Sequence, residues 1–374
     1  MVYLIYTAVP FKAVGLGAGP FELGCLAAIS TGTYAVLAFG FGHWSDRFPR
    51  THLARASSIG VIVGCIVLTL APSIGWMMAG IPVMGASLAP FWPSVQASIG
   101  DRSPLRDLER NLGRFNLSWS TGKASGYLVG GATVAGLGIE STLTLASAIA
   151  FVIFFLLPGP VARQQRGVDL DVDAAAGAAA HASEGLDVRA ALFRRLAWIA
   201  IAAAYGVAST LNHHYPRLIR EFGWSPRVFG LFLGLVYLTQ SAAFVGLMLR
   251  TDVWRFRRGR LYAVQALALV SVVALPFADV GRILVCAVLI GVGLGTCYYS
   301  SIYYSLHTHD ARGRHAGVHE GLIGLGSMLI PFLGGVAAMW SGHLAAPYAV
   351  AGGVIALALL AQEWTYRRSQ IRRP

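Results

Sequence analysis

Along the chain, long apolar stretches alternate with short polar breaks that carry arginine. Many of the stretches reach roughly 20 residues, the length a helix rising 1.5 Å per residue needs to cross about 30 Å of hydrocarbon. The pattern predicts a partial span near 1–14 and eleven full ones near 20–43, 53–72, 75–99, 112–136, 139–158, 194–214, 226–249, 260–278, 282–306, 313–340 and 344–364. The expectation is an all-α polytopic membrane protein.

Composition agrees with that reading. The hydrophobic set makes up 56% of the 374 residues, charged residues make up 12%, and mean hydropathy is +0.61. Soluble chains carry roughly a quarter charged residues, because water must solvate their surface.

The net charge of +12 raises the question of nucleic acid, but the placement of the charges answers it differently. The breaks at 44–56, 101–114, 159–195, 250–260 and 307–315, with the tail after 365, hold 23 of the 29 lysines and arginines. The remaining breaks hold Arg217, Arg220, Arg227 and Arg282. This asymmetry is the positive-inside pattern, which predicts a multi-pass protein of the cell (inner or plasma) membrane with a cytoplasmic C-terminus. The expected partners are the lipid bilayer, a small-molecule substrate and a proton, with no nucleic acid and a monomeric state.

Cys25, Cys65, Cys286 and Cys297 all fall inside spans without metal-ligand spacing and read as small packing residues. No signal peptide is evident. No phosphate-binding loop, zincin string or nucleophile elbow is present, so neither a cofactor, a metal nor an enzymatic activity is expected.

The chain also repeats itself. A shift of 206 aligns Pro10, Gly17, Pro20, Gly24 and Asp46 with Pro216, Gly223, Pro226, Gly230 and Asp252. A shift of 204 aligns Arg110, Gly113, Gly122, Gly130 and Gly131 with Arg314, Gly317, Gly326, Gly334 and Gly335. A shift of 207 pairs Phe91–Val95 with Tyr298–Ile302. Nearly equal offsets in three regions predict two six-span halves, 1–158 and 194–374, joined by a linker over 159–193 whose alanine-rich part can form a surface helix. On this alignment the first span is N-terminally truncated by about a dozen residues relative to its partner near Arg194.

After the second span comes Gly42-His43-Trp44-Ser45-Asp46-Arg47-Phe48-Pro49-Arg50. It resembles the signature Gly-x-x-x-Asp-Arg/Lys-x-Gly-Arg/Lys of the major facilitator superfamily, with Pro49 at the second glycine. The resemblance extends over essentially the whole chain through span count, orientation, repeat and linker. It implies secondary transport by alternating access, with Gly42, Asp46, Arg47 and Arg50 holding and releasing a neighbouring helix end as the halves rock. The degenerate second copy lies around Asp252, Arg257 and Arg258.

Gly122-x-x-x-Gly126-Tyr127-x-x-Gly130-Gly131 resembles the antiporter signature of drug-efflux members, with Tyr127 where proline is expected. The second half carries Gly326, Pro331, Gly334 and Gly335. Close helix packing explains these glycines equally well. The string leans the expectation toward efflux, with uptake of a sugar, nucleoside or organic anion as the alternative. A sensor or assembly partner without flux is the rival from another class. Span four lacks the intramembrane arginine and Gln-Gly that mark many proton-coupled drug antiporters of the superfamily.

Ionisable and polar groups inside spans are costly unless they face a cavity or a partner. Glu320 reads as a proton-binding or gating residue, or as an ion-pair partner of Arg314 or Arg110. Lys123 can bind an anionic group, counter Glu320, or snorkel. His319 and Asn116 complete this candidate proton or substrate site. His213, His214 and Lys12 read as interfacial. In the superfamily fold helices one, four, seven and ten line the cavity and two, five, eight and eleven flank it, which makes Tyr6, Phe91, Trp92, Gln96 and Trp119 of the first half and Tyr205 of the second candidate lining residues. Asn212, Tyr237, Gln240, Tyr298, Tyr299, Tyr303 and Tyr304 join them from the second half, aromatic faces that suit amphiphilic or ring-bearing solutes.

Overall fold

The computed structural model describes all residues except 45–49, 93–104, 158–179, 307–311 and 372–374. Twelve helices carry the chain: α1 Val2–Gly15, α2 Pro20–Trp44, α3 Arg50–Thr69, α4 Ile74–Leu88, α5 Leu105–Leu137, α6 Ile139–Leu156, α7 Ala180–Glu221, α8 Pro226–Leu249, α9 Arg258–Ala274, α10 Val280–Leu306, α11 Arg312–Ser341 and α12 Ala346–Ile371. A helical turn at Thr251–Trp254 and a 3-10 turn at Leu275–Phe277 complete them, and no strand occurs among the described residues. Among the described residues, nine helices are long and apolar enough to cross a membrane. Large apolar side chains such as Val36, Leu70, Phe155, Val270, Val285 and Leu357 point outward, as a lipid solvent permits.

Local chemistry sets the helix ends. Ser73 and Ser225 cap α4 and α8 by accepting from the backbone N–H of Trp76 and Arg227, and Pro226 occupies the first turn of α8, where no N–H is needed. α1 and α7 stop in the same way. Gly17 and Gly223 take φ of +91° and +68°, so Ala18 N–H reaches Ala13 O and Trp224 N–H reaches Ile219 O. Each is a Schellman ending, which a residue with a Cβ adopts only under strain. The two glycines are 206 residues apart, so the sequence repeat is also a repeat of backbone conformation.

The same holds for packing between the halves. The chief inter-half contacts are α5 on α8 and α2 on α11, and the repeat exchanges one pair for the other. A Cβ on Gly131 would lie 2.6 Å from Gly230 Cα and 2.7 Å from Pro226 O. A Cβ on Gly335 would lie 2.5 Å from Pro20 O and 3.3 Å from Gly24 Cα. These are the residues the shifts of 204 and 206 align, so the crossings are two copies of one contact. Within the halves α3 packs on α4 and α6, and α1 on α5 and α6, while α7 packs on α10, α11 and α12.

Two expectations change. The helix expected to begin near Arg194 is described from Ala180, because a stretch with four alanines and no proline before Arg194 propagates a helix despite Gly185. His213 and His214 are not interfacial but buried: His213 Nδ1 meets Ser209 O, and His214 Nε2 meets Pro331 O at 2.9 Å. Lys12 is buried as well, its ammonium donating to Thr69 O at the end of α3.

Candidate functional site

One face of α5 carries Asn116, Ser120, Lys123 and Tyr127 at helical spacing. Ser120 Oγ lies 2.6 Å from Ser241 Oγ of α8, and Tyr127 donates to Asn212 Oδ1 of α7 at 2.7 Å. Lys123 between them is 6% exposed. Its ammonium stands over the rings of Tyr237 at 4.2 Å, Trp119 at 4.9 Å, Tyr3 at 5.1 Å and Tyr205 at 5.5 Å. Tyr127 braces the cage by stacking on Tyr237, with centroids 5.3 Å apart and planes 7° apart. The rings come from α1, α5, α7 and α8, so both halves build the cage.

Lys123 makes no hydrogen bond or ion pair with the described residues. A desolvated cation–π contact stabilises by about 2 kcal/mol or more but supplies no hydrogen-bond acceptor, whereas removing an ammonium from water costs several kcal/mol or more. The rings therefore offset part of the cost and leave three N–H donors without acceptors.

Tyr205 of the cage is also a neighbour of Glu320. Glu320 lies on α11, is exposed, and is within electrostatic reach of Tyr34 of α2, Tyr205 of α7 and Tyr298 of α10. Those three helices surround it on the inner side of the bundle. No ion pair joins Glu320 to Lys123. Its neighbour His319 is fully buried against α10, with Nδ1 at 2.8 Å from Ser301 Oγ and Nε2 without a partner.

The remaining candidates divide. Tyr6 packs on Tyr3 at 5.6 Å, and Tyr298 joins Trp119 at 5.6 Å to Tyr205 at 5.9 Å, so both belong to this aromatic space. Asn116 is half-buried one turn below Ser120. Gln240 is fully buried with both amide atoms unpartnered. Trp92 packs on Phe91 and Phe115. Tyr299, Tyr303 and Tyr304 instead cluster with Trp254, and Tyr304 Oη accepts from Phe256 N–H near the basic loops. Phe256 takes φ +55° at this point. Asp46, Arg47 and Gln96 lie outside the described residues, and of Gly42, Arg50 and the expected Glu320 partners Arg110 and Arg314 only the helical backbone is described. Tyr3, Tyr34 and Tyr127 went unnoticed in the sequence as site residues, since a tyrosine within an apolar run carries no sign of the face it occupies.

The glycines divide too. Gly126 and Gly130 admit Tyr3 and Thr7 of α1, Gly326 presses on the Ala202 carbonyl of α7, and Gly334 abuts Pro347 of α12. Nothing lies within 4 Å of a Cβ built on Gly122. Opposite the basic loops, the halves are tied by arginines of α7. Arg217 donates to Ala18 O at 3.1 Å and Arg220 to Val14 O at 2.5 Å, the latter a carbonyl that also accepts from Gly17 N–H in the turn ending α1.

A polytopic helical chain with two repeated inter-half crossings and a central charged space has the form of a transporter. The family model described as Major Facilitator Superfamily matches residues 1–318. The chain belongs to the Major Facilitator Superfamily. Its fold matches solved members: a bacterial homolog to the human lysosomal transporter Spinster, in an inward-facing and unoccupied conformation, has a TM-score of 0.72 at 13% identity, covering 98% of this chain and 94% of that one. The same homolog in an inward-facing and occupied conformation gives 0.69 at 14% identity, covering 99% and 94%. The nucleoside transporter NupG gives 0.70 at 10% identity, covering 97% and 95%. At such identities the likeness carries the fold and not the solute. A sequence search of curated proteins finds no match.

Proposed function

We propose that this superfamily member is a secondary active transporter that moves a small organic solute through the space between Lys123 and Glu320, coupled to protons at Glu320. The halves 1–158 and 194–374 rock about the central site, and the basic loops face the cytoplasm. The observation that carries the reading is Glu320 itself, a carboxylate inside an apolar helix, exposed among Tyr34, Tyr205 and Tyr298 of three other helices. An intramembrane carboxylate that faces a cavity is placed to take up a proton from whichever side has access.

Efflux was favoured by the glycine string of α5. Gly126, Gly130 and Gly131 are accounted for by contacts with Tyr3, Thr7 and Gly230, which say nothing of direction. Uptake of an organic anion is the second reading, and the unpartnered ammonium of Lys123 favours it.

The test uses proteoliposomes given a mixture of small organic solutes, with mass spectrometry of the lumen. Wild type should concentrate its solute only under an imposed pH gradient. Glu320→Gln should equilibrate the same solute without concentrating it. Gradient-driven accumulation by Glu320→Gln at the wild-type level would remove the proton-site assignment.

A further inference from the structure

The Lys123 cage is built for a cation that is already present. Four rings from both halves surround the ammonium at 4.2 to 5.5 Å, offering π faces and no acceptor for its N–H groups. The rings would suit a quaternary ammonium solute, but Lys123 fills that position, and an incoming cation would meet like charge. What is missing is an anionic oxygen. The groups facing the ammonium, Tyr3 of α1, Trp119 of α5, Tyr205 of α7 and Tyr237 of α8, supply none in ionised form.

We propose that Lys123 receives one carboxylate of an apolar or aryl monoanion, that the surrounding rings hold its body, and that it crosses together with one proton carried by Glu320. The proton half of this inference rests on the reading of Glu320 given above.

Charge balance gives the stoichiometry. Among the described residues no ion pair involves Glu320, and Tyr34, Tyr205 and Tyr298 face it as phenols from α2, α7 and α10, while the neighbouring His319 packs its ring on Tyr298 at 5.0 Å and meets Ser301 Oγ. Among the described residues, a charged Lys123 and an ionised Glu320 cancel one another while the space is empty. An anion alone leaves one net negative charge, a proton alone one net positive charge, and both together restore neutrality. A net charge enclosed between rocking halves is costly in low dielectric. The empty and doubly loaded forms therefore interconvert most readily, and this makes anion and proton travel in the same direction. A dianion would leave an excess charge in every occupancy.

The probes are hippurate and decanoate as monoanions, hippuramide as a neutral analogue and benzoylcholine as a cation. Thermal stabilisation of purified protein should show binding of the two anions and neither of the others. Lys123→Gln should weaken anion binding at least tenfold, while Lys123→Arg should retain it, which separates lost charge from lost fold. In proteoliposomes loaded with a pH-sensitive dye, hippurate entry should acidify the lumen, and Glu320→Gln should bind hippurate without acidifying it. Wild type that binds neither anion, or that binds benzoylcholine instead, overturns the assignment of class, as does wild-type affinity in Lys123→Gln. Alkalinisation on hippurate entry overturns cotransport. Acidification that persists in Glu320→Gln removes the proton site and leaves anion binding at Lys123 standing.

Discussion

Pro331 shows how single residues settle polar debts inside this bundle. It has no N–H, so the carbonyl of Ser327 one turn earlier lacks its helical partner. Ser209 of α7 supplies it, donating to Ser327 O at 2.8 Å, and His214 of the same helix meets Pro331 O. The backbone around Pro331 is thus satisfied by α7. Ser209→Ala should strand the carbonyl and cost about 1–3 kcal/mol, lowering the thermal midpoint in detergent, while Ser209→Thr keeps a hydroxyl and should lie close to wild type. Equal midpoints for Ser209→Ala and wild type would show that the carbonyl is satisfied otherwise. Residue roles of this kind were only partly legible. Lys123 and Glu320 stood out because a charge within an apolar run always demands a reason. Ser209, Tyr3, Tyr34 and Tyr127 did not, since hydroxyl-bearing residues fit a lipid face, a helix seam or a cavity equally well and only their partners tell which.

Between helices, the glycines separate a shared spacing from a shared job. Gly131 and Gly335 touch backbone atoms of Gly230 and Pro20, which cannot rotate away, whereas Gly122 meets nothing. Gly131→Ala and Gly335→Ala should each destabilise, by roughly 1–3 kcal/mol as overpacking usually does, and reduce the yield of monodisperse protein. Gly122→Ala should be tolerated, since alanine is the better helix former by about 1 kcal/mol. Size-exclusion profiles after a temperature series check all three, and equal damage at Gly122 would show a contact that the static packing omits. The seam glycines were readable because α2, α5, α8 and α11 repeat at offsets of 204 and 206. The start of α7 at Ala180 was not, because hydropathy marks where a helix enters lipid and not where it begins.

At the scale of the molecule, the arginine ties decide which end is shut. Arg217 and Arg220 bind carbonyls of Ala18 and Val14 across the halves, and hydrogen bonds from a charged donor stabilise by about 1.5–3 kcal/mol each. Removing both, in Arg217→Gln with Arg220→Gln, should move the equilibrium toward the conformer open at that end by tenfold or more. Spin labels at the exposed Leu16 and Phe222 should then report a longer-distance population that wild type lacks, and an unchanged distribution would show the ties to be incidental. On the proposed orientation, a membrane-impermeant thiol reagent applied to whole cells should reach a cysteine placed at Leu16.

The duplicated crossing also has a mechanical meaning. Two bodies pressed together at a single point can swivel in any sense, but two bodies pressed together at two separate points keep one easy rotation, about the line joining those points. Here the points are Gly131 on Gly230 and Gly335 on Gly24, related by the repeat, with the first contact the tighter of the two. In the rocking motion proposed above, the pair would act as a double hinge with one degree of freedom. Twisting or sliding of one half against the other would have to break both seams at once, so the path between the two open forms is prescribed by geometry before any solute arrives.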